Sequence, residues 1–497
     1  MTPPKPDLST VVSAGLLAAF FAIFLWPQLA FALRIGLCCG DDSFFAMVAL
    51  TLARTGTYAY PSSSTEAHLF DPLISAGPTL LLPGALALKL FGPDPRLPGL
   101  TALGLALLPL VLTFLLLLRR FAAVSVCLYA VVVLVGIATF TFNTNFGIFL
   151  GEGTTMALIV LGAVLLASPS AAPRSLVAGG LCFGLAVLTK HMGSFAVLGA
   201  CVAFAALLLG RFGVSALPRI VLVAASVLVL PFAFEATKWA LLGSTAYLEH
   251  WSTYLGYERR IHGVSPADHH PFLRLLADNF PYPAGAAMAA TVAFGLLATR
   301  RNADGREAAS LGLLLGTAVL FHLAYFALSG AINQRYLWLA IMLVAFLLAL
   351  PILPLRGWRQ AAFIVFLGIV ALPPHVVAWS YREQQRWMAN YDGFDERRAV
   401  MDYLAGRADL PVYGLNWASA LDVIFLLPEG REWHLSDDAA QVGAREAIYV
   451  SLDQFAPKER ADYQRLRSAC DRQLAELQIY SVFRCRGPSP DPAGPPS

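Results

Sequence analysis

Charge is what this sequence has least of. Lys, Arg, Asp and Glu make up 13% of 497 residues, where a soluble domain carries about 25%. With 57% hydrophobic residues, that shortfall excludes an ordinary soluble globular protein and reads as a polytopic membrane protein. A formal net charge of +3 leaves no electrostatic footprint for nucleic acid. Cysteine is also sparse. None of the seven has metal-ligand spacing,. Cys127, Cys182 and Cys201 fall in apolar runs, where cysteine behaves as a small hydrophobe. Cys38 and Cys39 are adjacent. Cys470 and Cys485 lie in a polar C-terminal region. In an oxidising compartment they can close a loop of about 15 residues, worth roughly 3 kcal/mol. Internal repeats and heptads are missing as well, and charges in the middle of apolar runs are nearly absent. Transporters and lipid flippases bury ionisable residues mid-span and often show inverted repeats, so that class stands as the alternative reading.

What is present is a series of long apolar runs. A span needs about 20 residues to cross a hydrocarbon core of about 30 Å. The candidates are 11–33, 98–118, 121–142, 153–169, 175–190, 193–210, 219–235, 282–299, 308–329, 336–353 and 360–378. Residues 11–33 are too long for a signal-peptide core and read as an uncleaved first span. The run 78–91 would reach only about 21 Å as a helix, and Pro83 interrupts it. Without it, Arg119-Arg120, Arg174, Arg211, Arg219, Arg300-Arg301, Arg306, Arg356 and Arg359 all fall on one face, as the positive-inside rule requires. The expectation is therefore an all-α polytopic bundle of about eleven transmembrane helices. Residues 34–97 and 236–281 form large extracytoplasmic loops with interfacial helices. Residues 1–378 make one membrane domain. Residues 379–486 are richer in charge, and PVYGLNWASALDVIFLLP and EAIYVSLDQF read as strand and helix segments of a small α/β domain,. The tail 487–497 reads as disordered.

Polar residues collect on the outer face of this scheme. Asp41 and Asp42 follow the first span in GLCCGDDSFFA. One Asp can cap the helix SFFAMVALTLAR, whose Phe44, Val48 and Leu52 would rest on the bilayer. The second is not needed for a cap, and adjacent carboxylates raise each other's pKa, as a general base requires. Glu152 opens the span 153–169, where the helix dipole favours it. It is also placed for chemistry. Lys190 and His191 interrupt AVLTKHMGSF. They either snorkel or meet a phosphate. Glu235 and Lys238 read as a local pair. Arg335-Tyr336 stands at an outer turn, where arginine suits a phosphate and both suit interfacial anchoring. Tyr247, Trp251, Tyr254 and Tyr257 share one helix face, for anchoring or for stacking on sugar. His250, His262, His269 and His270 in the same loop match no known ligand spacing, so no metal and no cofactor is expected.

These positions together resemble the GT-C superfamily of membrane glycosyltransferases, in particular the lipid A aminoarabinose transferases and protein O-mannosyltransferases. The resemblance covers residues 11–378 by architecture and a few positions by motif. The acidic pair after the first span matches Asp41-Asp42. The stretch AGPTLLLPGALALKLFG with DPRLPGL is similar to the interfacial helix and second-span entry. Glu152, Thr189-Lys190 and Arg335-Tyr336 fall at similar places. The sequence departs in having Asp-Asp for Asp-Glu, no arginine after the pair, and Ala76 and Gly77 where relatives carry a lysine before the loop proline.

The resemblance implies a transferase that moves a sugar from a polyprenyl-phosphate donor to an acceptor hydroxyl with inversion. Asp41, Asp42 and Glu152 are the expected catalytic acids. Arg335, Tyr336, Lys190 and His191 are the expected donor-phosphate contacts, and Tyr254 and Tyr257 the expected substrate contacts. The acceptor would be a glycan, a lipid or a protein. The alanine-rich composition and the lack of a eukaryotic retention signal point to a bacterial inner membrane, with the site and C-terminal domain facing the periplasm.

Overall fold

The computed structural model describes residues 15, 18, 24–26, 28–34, 36–37, 40–72, 74–140, 147–168, 171–262, 303–329, 337–371, 393–414, 420–435, 446–452 and 461–486. Residues 28–33 of the expected first span are helical. Helix α1 (Gly40–Thr55) follows, then a hairpin of β1 (Ala59–Pro61) and β2 (Ala67–Leu69). Next come α2 (Pro78–Phe91), α3 (Arg96–Leu118), α4 (Ala123–Phe140), α5 (Glu152–Leu166), α6 (Pro173–Thr189) and α7 (Gly193–Phe212). Helix α8 (Leu217–His262) is broken at Gly243, whose φ of 76° and ψ of 166° are not helical, so its first stretch ends a few residues past the end expected at 235 and its second lies in the expected loop 236–281. The bundle closes with α9 (Ala303–Ser329), α10 (Trp338–Ala349) and α11 (Trp358–Ala371).

Burial sorts these helices into inner and outer ones. A helix apolar all round belongs inside. Every residue of α10 is buried, and so is nearly every residue of α5. Helix α5 packs between α3 and α6, while α7 packs on α9 and α6 on α8. Helix α8 is different: Val221, Leu228, Val229 and Phe232 stay exposed, the surface a helix offers to lipid. Among the described residues, three helical stretches are long and apolar enough to cross a membrane: Arg96–Leu118, Gly305–Ala327 and a run within Gly193–Gly256. Ala123–Ile137, Glu152–Leu166, Pro173–Thr189 and Trp338–Ile352, at four other expected spans, are shorter apolar helices. The expected span 282–299 lies outside the described residues.

Helix α2 is the short element expected from 78–91. Leu82, Leu86 and Leu90 are exposed at spacings of four, while Leu81, Ala85 and Leu88 on other faces are buried. Helix α1 corrects an expectation. Residues 43–50 are buried all round, by α2 and the C-terminal region among others. Phe44 and Val48 therefore face protein, not a bilayer surface.

Two sets of contacts mark opposite ends of the bundle. At one end Arg120 Nη1 donates to the Val164 carbonyl at 2.8 Å and to Glu307 Oε1 at 2.5 Å. Arg356 Nη1 donates to Ser125 Oγ at 2.7 Å, and Gln360 Nε2 reaches the same hydroxyl at 2.9 Å. These arginines belong to the face the sequence made basic. At the other end Gly77 N–H donates to the Thr189 carbonyl at 3.0 Å, and Ala76 bridges Lys190. A methyl group on Gly77 would come within 1.9 Å of the Leu188 carbonyl oxygen, so only glycine allows this approach.

The C-terminal region holds α12 (Gly393–Ala405), β3 (Val412–Gly414), α13 (Leu421–Ile424), β4 (Trp433–Leu435), β5 (Ala447–Leu452), α14 (Ala461–Ala469), β6 (Asp471–Gln473) and β7 (Tyr480–Cys485). The sheet order is β4-β3-β5-β7-β6, parallel from β4 to β5 and antiparallel beyond. Its central strands carry Val412, Ile448, Val450 and Val482, all fully buried. Cys470 and Cys485 form a disulfide. The outer edge of β4 is covered by the membrane region's own chain. Ser64 N–H donates to the Trp433 carbonyl at 2.9 Å and Leu435 N–H to the Ser62 carbonyl at 2.9 Å.

Candidate active site

The acidic pair lies inside α1 rather than at its cap. The helix starts at Gly40, so Asp41 and Asp42 occupy its first turn, where the dipole favours carboxylates. Their environments differ. Asp41 is half-buried. Asp42 is 1% exposed, and its Oδ1 accepts the Phe149 N–H at 2.8 Å. Phe149 belongs to the turn that ends at Gly151, which has φ of 92° and begins α5. The next residue is Glu152. One turn thus carries both the donor to Asp42 and the second acid.

Glu152 meets a cation from the far end of α6. Lys190 Nζ is 3.5 Å from Glu152 Oε1, and both side chains are buried. The same ammonium sits 4.8 Å from the centre of the Phe45 ring. A lone buried charge costs several kcal/mol, and a buried pair mostly offsets that cost rather than adding stability. Asp42, Glu152 and Lys190 therefore form a compact charged compartment walled by Phe45 and the turn at Phe149.

A second compartment lies beside it. Lys190 is extended, with φ of −153° and ψ of 121°, and its contacts run to Glu152 and Phe45. The next side chain, His191, lines a cavity of about 260 Å³ between the end of α6, the β1–β2 region and α8. The His191 ring meets Tyr254 edge-on at 5.7 Å, and Tyr254 meets Trp251 edge-on at 5.6 Å. Lys238 Nζ donates to Glu235 Oε1 at 3.0 Å and lies 5.6 Å from the Trp251 ring. Tyr247 Oη donates to Glu235 Oε2 at 3.0 Å. Burial, with help from Lys190 and Lys238, pushes His191 down to about 4. It is neutral at physiological pH. Its Nε2 is buried with no hydrogen-bond partner among the described residues.

The structure thus gathers Asp42, Glu152 and Lys190 in one compartment, with Asp41 half-buried next to Asp42 in the first turn of α1, and His191 and Tyr254 in the adjoining cavity. Tyr257 falls in α8, and its side chain lies outside the described residues, as do Arg335 and Tyr336. Sequence reasoning passed over Glu235 and Lys238 as a local pair. The pair is real, but it stands in the cavity wall. The available signal was spacing: Phe234, Lys238 and Trp251 put a cation within an aromatic run. Among the described residues no three His, Cys, Asp or Glu side chains gather as metal ligands.

The architecture is a helical bundle with an acidic pair near its first span and a small C-terminal sheet region. The match is to particular solved structures. ArnT from Cupriavidus metallidurans in the apo state aligns with a TM-score of 0.59 at 16% identity, over 96% of this chain and 100% of that one. The same protein bound to undecaprenyl phosphate aligns at 0.58 and 13% identity, over 96% and 99%. An Archaeoglobus fulgidus oligosaccharyltransferase complex with zinc and sulfate aligns at 0.44 and 14% identity, over 76% and 52%. No family model and no curated protein sequence matches the chain. At these identities the likeness is one of fold.

Proposed function

We propose that this protein is a membrane glycosyltransferase that moves a sugar from a polyprenyl-phosphate donor to an acceptor hydroxyl. The observation that carries the reading is the buried compartment of Asp42, Glu152 and Lys190 beside the half-buried Asp41, in a chain with the ArnT fold. The comparison structure bound to undecaprenyl phosphate supports the donor class. A scaffold without chemistry has no use for three buried charges at one end of a bundle.

Each group then has a role. The acceptor hydroxyl attacks the anomeric carbon, and the carbon–oxygen bond to phosphate breaks. Asp41 accepts the hydroxyl proton. Polyprenyl phosphate leaves as an anion, so it needs positive charge rather than a proton. Arg335 with Tyr336, and Lys190, supply that. Glu152 holds Lys190 in place, and Asp42 holds the Phe149 turn. His191, being neutral, serves as a hydrogen-bonding group and not as a cation. The cavity walled by Tyr254, with Tyr257 on the same helix, receives the sugar end of a substrate. One-step displacement inverts the anomeric configuration. The inner membrane and its periplasmic face are the matching location.

The test is turnover of a polyprenyl-phosphate sugar mixture by the purified protein, followed as free polyprenyl phosphate. Wild type should release it, and folded Asp41→Asn should lose about 10²-fold or more. No release from any donor, or equal release by both proteins, would return the pair to a structural role and favour a transporter. A product with retained configuration would exclude the one-step route.

A further inference from the structure

One buried guanidinium links the C-terminal domain to the chain just before α1. Arg397, on α12, is 4% exposed. Its Nε donates to Asp422 Oδ2 at 2.8 Å and lies 3.3 Å from Tyr480 Oη. Tyr480 Oη also donates to Asp422 Oδ2. The remaining arm crosses to the membrane region: Nη2 donates to the Leu37 carbonyl at 2.6 Å. Leu37 is fully buried and stands four residues before Asp41. Gly36, next to it, has φ of 67°.

The anchor on the domain side is stiff. Glu396, the preceding residue, accepts backbone N–H bonds from Gln478, Ile479 and Tyr480 at 3.0, 2.8 and 3.3 Å. This ties α12 to the start of β7. Helix α13, which carries Asp422, packs on α1 itself. The backbone pairing of residues 62–64 with β4 then holds the chain beyond the other end of α1. The domain thus grips the acid-bearing helix both before and after its length.

A buried ion pair is a poor source of stability compared with apolar packing of the same volume, and its best-attested use is to fix one geometry. The geometry here is a fork. Arginine presents donors in two directions at once, whereas lysine offers a point charge that satisfies one partner. We infer that Arg397 is a positioning residue: through the Leu37 carbonyl it fixes the chain four residues before Asp41, and with it the acid-bearing start of α1, and so makes the C-terminal domain part of the active site. The effect on turnover rests on the transferase reading above. The tether itself does not.

Arg397→Lys is the discriminating variant, because it can keep the bond to Asp422 while giving up Leu37. Two readouts are taken on the full-length protein in lipid nanodiscs. The first is hydrogen exchange of backbone amides in residues 40–45 and, as a reference, in β5. Loss of a hydrogen bond from a charged donor predicts exchange about tenfold faster or more near α1 with β5 unchanged. The second is turnover. A misplaced base predicts kcat lower by about tenfold or more with donor KM within about twofold. Unchanged exchange in 40–45, or equal loosening of β5, overturns the tether. Faster exchange with wild-type kcat overturns its role in positioning. A wild type without transferase activity sinks the function reading and leaves the exchange result to decide the tether. If Arg397→Lys does not fold, Asp422→Asn releases the guanidinium without removing it and is held to the same outcomes.

Discussion

The two ends of the helical bundle handle charge in opposite ways. At the basic end, Arg120 and Arg356 lie at the margin, and their donors go to carbonyls, a hydroxyl and the partly exposed Glu307. Each cation there finds its partners among nearby helix ends. At the other end Asp42, Glu152 and Lys190 are drawn inside, with exposures of 1%, 5% and 2%. Charge at a margin is cheap and serves topology. Charge inside is costly to desolvate and persists where geometry or chemistry requires it. The contrast singles out this end for the proposed chemistry without reference to any relative.

Substitutions can break this contrast, and the largest effect belongs to the inner end. Asp41→Asn should leave the fold intact and lower turnover by about 10²- to 10⁴-fold, measured as polyprenyl phosphate release. A fall of less than about tenfold would remove Asp41 from the role of base.

Next is Lys190→Met, which strands a buried carboxylate. It should destabilise the protein by about 3–5 kcal/mol, read from chemical denaturation in detergent. Adding Glu152→Gln should recover much of that loss, because the double variant no longer buries a lone charge. Additive losses would show that the two side chains do not act as a pair.

Gly77→Ala tests the backbone that joins the two compartments. The added methyl meets the Leu188 carbonyl, and overpacking of this kind costs about 1–3 kcal/mol. Both the Lys190 compartment and the His191 cavity should loosen together, which hydrogen exchange at Thr189 and Lys190 would show.

A pH series sharpens the contrast further. His191 stays neutral in the folded protein down to about 4, while the unfolded chain protonates it near pH 6.5. The unfolded state therefore binds more protons between these values, and stability falls as pH drops through that window. His191→Asn should flatten that part of the melting-temperature profile. An unchanged slope would mean that the imidazole is already charged in the fold.

The smallest effect is expected at the basic end. Arg120→Gln breaks a partly exposed pair with Glu307 and should cost about 1 kcal/mol or less. A loss as large as that of Lys190→Met would erase the distinction between the ends.

Much of the scaffold was legible in the residues. Apolar runs announced helices within a few positions of where they stand: 98–118 became Arg96–Leu118, and 193–210 became Gly193–Phe212. The short run bounded by Pro78 and Pro93 became its own helix, with a stripe of exposed leucines. The aromatic residues after Glu235 were placed on one helix, yet their inward turn onto His191 was not visible. Helix α1 misled more: Phe44, Val48 and Leu52 fall on one face by period, but periodicity does not reveal that other elements cover every side.

The site shows where local reasoning stops. Adjacent aspartates and a lone glutamate are visible as residue types in odd places, and that alone picked them out. Their division of labour depends on Phe149, 107 residues from Asp42, and on Lys190, delivered by the far end of another helix. The sequence by itself determined helices, their number of polar interruptions and the basic face, because hydropathy, length and arginine bias act over one or two turns. Only the tertiary structure decided that Asp42 faces inward while Asp41 keeps solvent, that Glu152 holds Lys190, and that Arg397 reaches Leu37 across 360 residues. These are contacts between segments remote in the chain, and burial and hydrogen bonding select them only once the helices have packed.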